Sequence, residues 1–263
     1  MVDDTQGHNG ARRPRPASGG WSGPGRARPV QPQSTADQQA RTSHDVPAIP
    51  PGVEPRQLAP EVRRELSTLD RATADAVACH LVAAGELLDQ DPEAALTHAR
   101  AARARSSRIA AIREAVGIAA YRCGDWAQAL AELRAARRMG SKSSLLALIA
   151  DCERGLGRPE RAIELARGPE AAQLSGDDAD ELRIVAAGAR ADLGQLEQAL
   201  ALLSTPQLDP SRKGSTAARL FYAYADTLLA LGRDEEALHW FLHSAAADSE
   251  GVTDAEERVS ELG

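Results

Sequence analysis

The sequence predicts an all-α fold, a solenoid of about five helix-turn-helix repeats. A glycine followed five residues later by an alanine and an apolar residue recurs at Gly124, Gly157, Gly194 and Gly232, and Gln90 replaces the glycine in a first copy. Successive copies lie 34, 33, 37 and 38 residues apart, which is the period of a helical-hairpin repeat. Aromatic residues make up only 3% of the chain, which indicates a core of small aliphatic side chains between closely packed helices.

Each repeat is expected to contain a helix A, a tight turn and a helix B. The turn falls at the glycine, because glycine readily adopts the left-handed conformation that closes a helix C-terminus. An alanine follows on the first turn of helix B, where a larger side chain would push the two helices apart. These hinge and packing positions are Gly124, Gly157, Gly194, Gly232, Ala129, Ala162, Ala199 and Ala237.

The same residues resemble the tetratricopeptide repeat (TPR). The second copy fits the family pattern best, with Gly117 on helix A, Gly124 at the hinge, the aromatic Trp126 two residues later, and Ala129, Leu133 and Ala136 on helix B. The resemblance covers roughly residues 70–250 and implies a right-handed α-solenoid whose A helices line a concave, protein-binding face. The whole chain also resembles a family of repeat proteins from Arg-rich, GC-rich actinobacteria, which implies no particular activity.

The chain is expected to open with a disordered tail over residues 1–55. Ten of the 15 prolines lie within residues 1–60, among many glycines and few apolar side chains. Such a segment buries too little surface to offset the entropy of ordering it. Residues 56–263 are then expected to form a single TPR-like repeat domain.

The elements of that domain can be placed in order. A short helix is expected near Pro60, a residue that suits a first helical turn, and its apolar stripe would cap the first repeat. The stripe consists of Leu58, Val62, Leu66 and Leu69. Five repeats are then predicted near residues 70–105, 107–140, 143–174, 179–206 and 217–248.

Longer links and a second cap complete the predicted domain. The wider intervals after the third repeat are explained by polar and Pro-containing connections around Pro169 and Pro206. Thr253 and Glu256 have the spacing of a capping box. They predict a charged terminal helix over residues 254–262 that shields the last apolar face.

The charge of the chain is unevenly distributed. The net charge is −7, but residues 1–41 contain six Arg and three Asp and so carry +3, which leaves −10 on the remainder. An acidic solenoid repels polyanions, which argues against its binding nucleic acid or an anionic membrane. The Arg-rich tail keeps a second function open, that of a nucleic-acid- or ribosome-associated factor acting through residues 1–50.

Nothing in the sequence predicts an export signal, a cofactor site or a metal site. No apolar run approaches the ~18 residues of a membrane span, and no secretory signal is recognised, so a cytoplasmic location is expected. Cys79, Cys123 and Cys152 lack a metal-binding or redox spacing and are interpreted as buried thiols.

Catalytic motifs are also missing, and the chain is not expected to be an enzyme. His239 and His243 are four residues apart, a spacing that can place two imidazoles on one metal, but no third ligand accompanies them. We interpret them as surface histidines and keep a metal site as a minor alternative. His80 is expected in the core or the groove wall, and Trp126 and Trp240 between helices.

The TPR resemblance places a partner-binding surface on the A helices. Counted from each hinge, its candidate residues are Glu114, Tyr121, Arg122, Asp151, Arg154, Arg219, Tyr222 and Asp226. Tyr and Arg carry a disproportionate share of interface energy, so the two tyrosines and three arginines are the expected anchors. The open alternative is that these side chains are solvated or paired within the chain. The sequence therefore predicts a non-enzymatic scaffold or adaptor that binds a protein or peptide on its concave face.

Overall fold

The computed structural model describes residues 46–141 and 144–263. These residues form twelve α-helices and no strand, and the predicted all-α class is confirmed. The helices are α1 (Pro60–Leu66), α2 (Arg71–Leu87), α3 (Pro92–Arg105), α4 (Ala110–Arg122), α5 (Trp126–Arg138), α6 (Leu146–Gly155), α7 (Pro159–Ala166), α8 (Gly176–Asp192), α9 (Leu196–Leu203), α10 (Ser215–Ala230), α11 (Asp234–Ala247) and α12 (Ala255–Leu262).

Ten of these helices form five hairpins, in which α2, α4, α6, α8 and α10 are the A helices. In the last four hairpins the A helix ends at a glycine with a φ of 72° to 75°. At Gly124 the amide donates to the carbonyl of Tyr121, and the next amide, of Asp125, donates to the carbonyl of Ala120. The same pair of bonds recurs at the three later hinges. This closure needs a left-handed residue, which explains the recurring glycine.

Small side chains allow the two helices of each hairpin to pack closely. The four helix-B alanines, Ala129, Ala162, Ala199 and Ala237, have no exposed surface. Within α4, a Cβ built on Gly117 would lie 2.7 Å from the side chain of Leu133 on α5. Close helix contact therefore depends on small residues at both surfaces of the hairpin.

Aromatic residues fill the gaps between repeats. Trp126 is partly buried and packs so closely on α6 that a Cβ on Gly155 would lie 2.5 Å from its ring. Trp240 is also partly buried and stacks edge-on against Tyr224, with 5.2 Å between the ring centroids. The structure thus places both tryptophans between helices.

Additional helices cover both ends of the array. Helix α1 packs against α2 and α4, with Leu66 buried and the Glu65 carboxylate accepting the Ala111 amide. Helix α12 packs against α11 and buries Ala255.

The predicted capping box at the start of α12 is wrong. The hydroxyl and amide of Thr253 both donate to Oδ2 of Asp248, each at 2.7 Å. No side chain caps the helix, and Asp254 occupies the N-cap position. Asp248 follows α11 and lies within hydrogen-bond distance of Thr253. The Thr253 side chain therefore stabilises the turn between α11 and α12 instead of capping α12.

The predictions of an N-terminal tail and of no membrane span can be compared only with the described residues. The predicted tail spans residues 1–55, of which 1–45 lie outside them, and the first regular element after that is a 3₁₀ turn at Pro55–Gln57. Among the helices that the structure describes, none has the length and apolar character needed to cross a membrane.

Candidate partner-binding surface

Successive A helices pack against each other at three of the four steps along the array. Helix α2 contacts α4, α6 contacts α8, and α8 contacts α10, whereas each B helix packs chiefly against the A helices that precede and follow it. Side chains from successive A helices therefore meet one another. The predicted partner-binding residues lie on these helices.

A hydrogen-bonded network links three successive A helices. The Tyr121 hydroxyl on α4 donates to Oδ2 of Asp151 on α6 at 2.5 Å. Arg154, also on α6, donates through Nη1 to Oδ1 of Asp151 at 2.7 Å and through Nε to Oδ2 of Asp192 on α8 at 2.6 Å. The side chains of Asp151 and Arg154 are only 15% exposed, so these bonds hold them in fixed positions.

Burial and charge within this network change its acid–base behaviour. Burial raises the pKa of Tyr121, and the adjacent Asp151 carboxylate raises it further. Burial acts to lower the pKa of Arg154, but its bonds to Asp192 and Asp151 outweigh that effect and the pKa is raised. The tyrosine therefore stays neutral and the arginine charged at any physiological pH.

Two arginines at the margins of this surface form exposed ion pairs. Arg122, at the end of α4, binds Asp89 in the first hairpin turn. Arg219 on α10 binds Glu181 on α8. Exposed pairs of this kind contribute little to stability, so both arginines can exchange their partners at low cost.

The terminal helix covers the last part of the surface. Burial raises the pKa of Tyr222, as does a hydrogen bond with Asp254 just before α12. Asp226 lies 3.6 Å from Nη2 of Arg258 on α12, and burial raises the pKa of its carboxyl. Tyr222 and Asp226 therefore contact the terminal segment around α12 and are also candidates for binding a protein partner.

Glu114 completes the set, accepting a hydrogen bond from the Ser141 hydroxyl at 2.7 Å. Each of the eight candidate residues thus has a partner within the chain. The structure brings Tyr121, Asp151 and Arg154 together. Arg122 instead pairs with Asp89 of the first hairpin, and Arg219 pairs with Glu181 further along the array.

Sequence reasoning missed the partners of these residues. Asp89 and Glu181 were not among the predicted site residues, yet each binds one of the predicted arginines. Each partner lies 33 or 38 residues away in the chain. A search for opposite charges one repeat apart would have found them.

The histidines and cysteines that the structure describes form no recognisable metal centre. His80 is buried, as is His98, and their Nδ1 atoms are 3.1 Å apart. His239 and His243 lie on α11 with 3.1 Å between their Nε2 atoms. No cluster of three or more His, Cys, Asp or Glu suited to a metal occurs within residues 46–141 and 144–263. Cys152 is buried, while Cys79 and Cys123 are partly exposed.

The comparison with protein families agrees with the repeated hairpins. The family model of the tetratrico peptide repeat matches residues 143–250, a region that includes the last three hairpins. The last three hairpins therefore match the tetratricopeptide repeat. No curated protein matches its sequence.

One solved structure similar to this chain is that of YrrB, described as a TPR protein with an unusual peptide-binding site. The two sequences are 19% identical, and the match covers 75% of this chain and 97% of YrrB with a TM-score of 0.44.

Proposed function

We propose that this repeat protein is a non-enzymatic scaffold that binds a protein or peptide along the face formed by its A helices. The supporting observation is the network of Tyr121, Asp151, Arg154 and Asp192, which fixes side chains from three repeats before any partner arrives. A surface held in this way loses little conformational entropy on binding. In this proposal, residues 56–263 act as one domain of a cytoplasmic protein.

The charge of this face favours a basic partner. The charged candidate residues and their partners on the A helices comprise five carboxylates and three arginines: Glu114, Asp151, Glu181, Asp192, Asp226, Arg122, Arg154 and Arg219. The difference is a net charge of −2. A segment with several Arg or Lys side chains would complement it and would bind more weakly as salt is added.

Capture from the native lysate by the full-length protein tests the proposal. The binding variant carries Arg122→Ala, Asp192→Ala and Arg219→Ala, three side chains that are 39% to 48% exposed. The control variant carries Arg64→Ala, Arg138→Ala and Glu160→Ala, which are exposed on other helices and remove the same charges.

Proteins retained by the wild type and the control variant but lost by the binding variant would support the proposal. All three proteins should melt at similar temperatures, because Arg122 and Arg219 form pairs near the surface and Arg154 keeps its bond to Asp151 when Asp192 is replaced. Equal capture by both variants would exclude this face as the binding surface.

A further inference from the structure

A cavity of about 440 Å³ lies away from the A-helix face, between α5, α6, α7 and the segment that follows α7. Its lining residues are Arg134, Arg137, Leu146, Glu153, Arg158, Arg161, Glu164, Leu165, Gly168, Pro169 and Glu170. Four arginines from three parts of the chain therefore border one space. They face three glutamates, so the lining carries a net charge of +1 in a repeat region that is otherwise acidic.

One of these glutamates is buried and already forms an ion pair. The Glu153 side chain is 4% exposed and accepts a bond from Nη2 of Arg134 at 2.6 Å. Arg158 approaches the other oxygen of the same carboxylate at 3.5 Å, the outer limit of a hydrogen bond. Arg134 is therefore committed to Glu153, whereas Arg158 is held weakly and is 59% exposed.

The other two arginines have exposed partners. Arg161 pairs with Glu164 at 2.7 Å, and both side chains are more than 60% exposed. Arg137 pairs with Glu170 at 2.9 Å across the mouth of the cavity. Exposed ion pairs are nearly balanced by hydration and side-chain entropy. Arg137, Arg158 and Arg161 can therefore turn to an incoming anion at little cost.

We propose that this cavity binds a phosphorylated small molecule. Guanidinium groups match phosphate oxygens in charge and geometry, and a phosphate offers oxygens in several directions to donors from α5, the α6–α7 turn and α7. Leu146, Leu165 and Pro169 supply an apolar wall beside them. The volume falls in the range of small-molecule sites and exceeds what inorganic phosphate fills. The ligand carries at least two negative charges and an apolar or aromatic group.

Isothermal titration of the full-length protein with ADP and with inorganic pyrophosphate tests this site. The site variant is Arg158→Gln with Arg161→Gln, and the matched control is Arg63→Gln with Arg64→Gln, two exposed arginines of α1. We expect wild type and control to bind ADP alike and the site variant to bind at least about tenfold more weakly, since two charge-assisted contacts are removed. Circular dichroism melting curves of the three proteins should coincide.

ADP binding tighter than pyrophosphate binding would support the use of the apolar wall. Equal binding of the two ligands would support a phosphate site and overturn the role of the wall. No heat of binding up to millimolar ligand, or equal loss in both variants, would overturn the site. Preferential binding of a glutamate-rich peptide would overturn the small-molecule assignment. None of these outcomes depends on the scaffold function, because the arginines of the cavity lie on α5, the α6–α7 turn and α7 and not on the A helices.

Discussion

Single buried carboxylates join elements that lie far apart in the sequence. The Glu132 side chain on α5 is 6% exposed and binds Arg103 on α3 and Arg113 on α4, the latter at 2.7 Å. Asp180 on α8 is held in the same way by Arg212, at 2.6 Å, from the link before α10. A buried charge is costly unless it is paired. These carboxylates therefore favour one alignment of adjacent repeats.

Replacing Glu132 tests this role. Glu132→Gln keeps the shape of the side chain but leaves two arginines facing a neutral amide, so we expect the free energy of unfolding to fall by about 3 kcal/mol. Urea denaturation followed by circular dichroism measures the change. Glu160→Gln, at an exposed position of α7, should change it by less than about 0.5 kcal/mol. Similar values for the two variants would contradict a structural role for Glu132.

The buried histidine pair makes the first hairpin sensitive to acid. Burial, together with the nearby Arg105 and His98, lowers the pKa of His80 to about 4. Burial also lowers the pKa of His98. Since the folded pKa lies below the unfolded value, the unfolded chain takes up protons first. Stability is complete above about pH 6.5 and falls as the pH drops towards 4, by roughly 3 kcal/mol for His80.

Melting temperatures measured between pH 7.5 and 4.5 check this dependence. The wild type should lose stability below pH 6.5, and a His80→Leu/His98→Leu variant should show a shallower decline whatever its stability at pH 7.5. The comparison uses the slope with pH, so imperfect packing of leucine does not affect it. Parallel curves would show that other groups cause the acid sensitivity.

At the scale of the element, two glycines of A helices have opposite roles. Gly117 lies on the face of α4 that meets α5, where an added Cβ would lie 2.7 Å from Leu133, a side chain with no exposed surface. Gly85 lies on the open side of α2, where a Cβ would meet nothing within 4 Å. The same substitution should therefore change stability in opposite directions.

We expect Gly117→Ala to destabilise the protein by about 2 kcal/mol, because the buried leucine has little room to move. Gly85→Ala should stabilise it by about 0.5 to 1 kcal/mol, since alanine favours the helix and restricts the unfolded chain. Chemical denaturation of both variants beside the wild type measures the two effects. A stabilising Gly117→Ala would show that close packing of α4 and α5 is not needed.

These elements also show which features could be predicted from the sequence. A hinge glycine acts on its own backbone, and an alanine such as Ala129 acts on the helix next to it, so a local pattern is enough to find them. The partner of Arg154 lies one repeat further along the chain, and the choice between Asp192 and another acid depends on how α6 and α8 stack. The eight candidate residues were therefore placed on A helices without their pairing, and the capping-box prediction failed because Thr253 bonds to the preceding Asp248.

At the scale of the whole molecule, stability is expected to be a sum of hairpins and the contacts between neighbours. Hydrophobic clusters follow one another along the array, and each is shared by adjacent helices. An array built in this way can lose an end without losing its middle. The covering helix α12 is the part whose removal tests this directly.

Helix α12 contributes several contacts to the last hairpin. Ala255 is buried against the last hairpin. The guanidinium carbon of Arg258 lies 5.4 Å from the centroid of the Phe241 ring, and the same arginine faces Asp226. Deleting residues 252–263 would expose this apolar surface and leave the buried Asp226 without its counter-charge. Both losses fall on α10 and α11.

We therefore expect amide hydrogen exchange in the truncated protein to accelerate by at least about tenfold in α10 and α11, while α2 to α5 retain their protection. The reason is that each repeat depends on its neighbours and not on distant repeats. Mass spectrometry of peptides from each hairpin resolves the two regions. The variant Arg258→Ala, which keeps the helix but removes its charge, should show a smaller effect in the same place. Equal acceleration in every hairpin would mean that the array unfolds as one unit, and unchanged exchange in α10 and α11 would mean that α12 does not act as a cap.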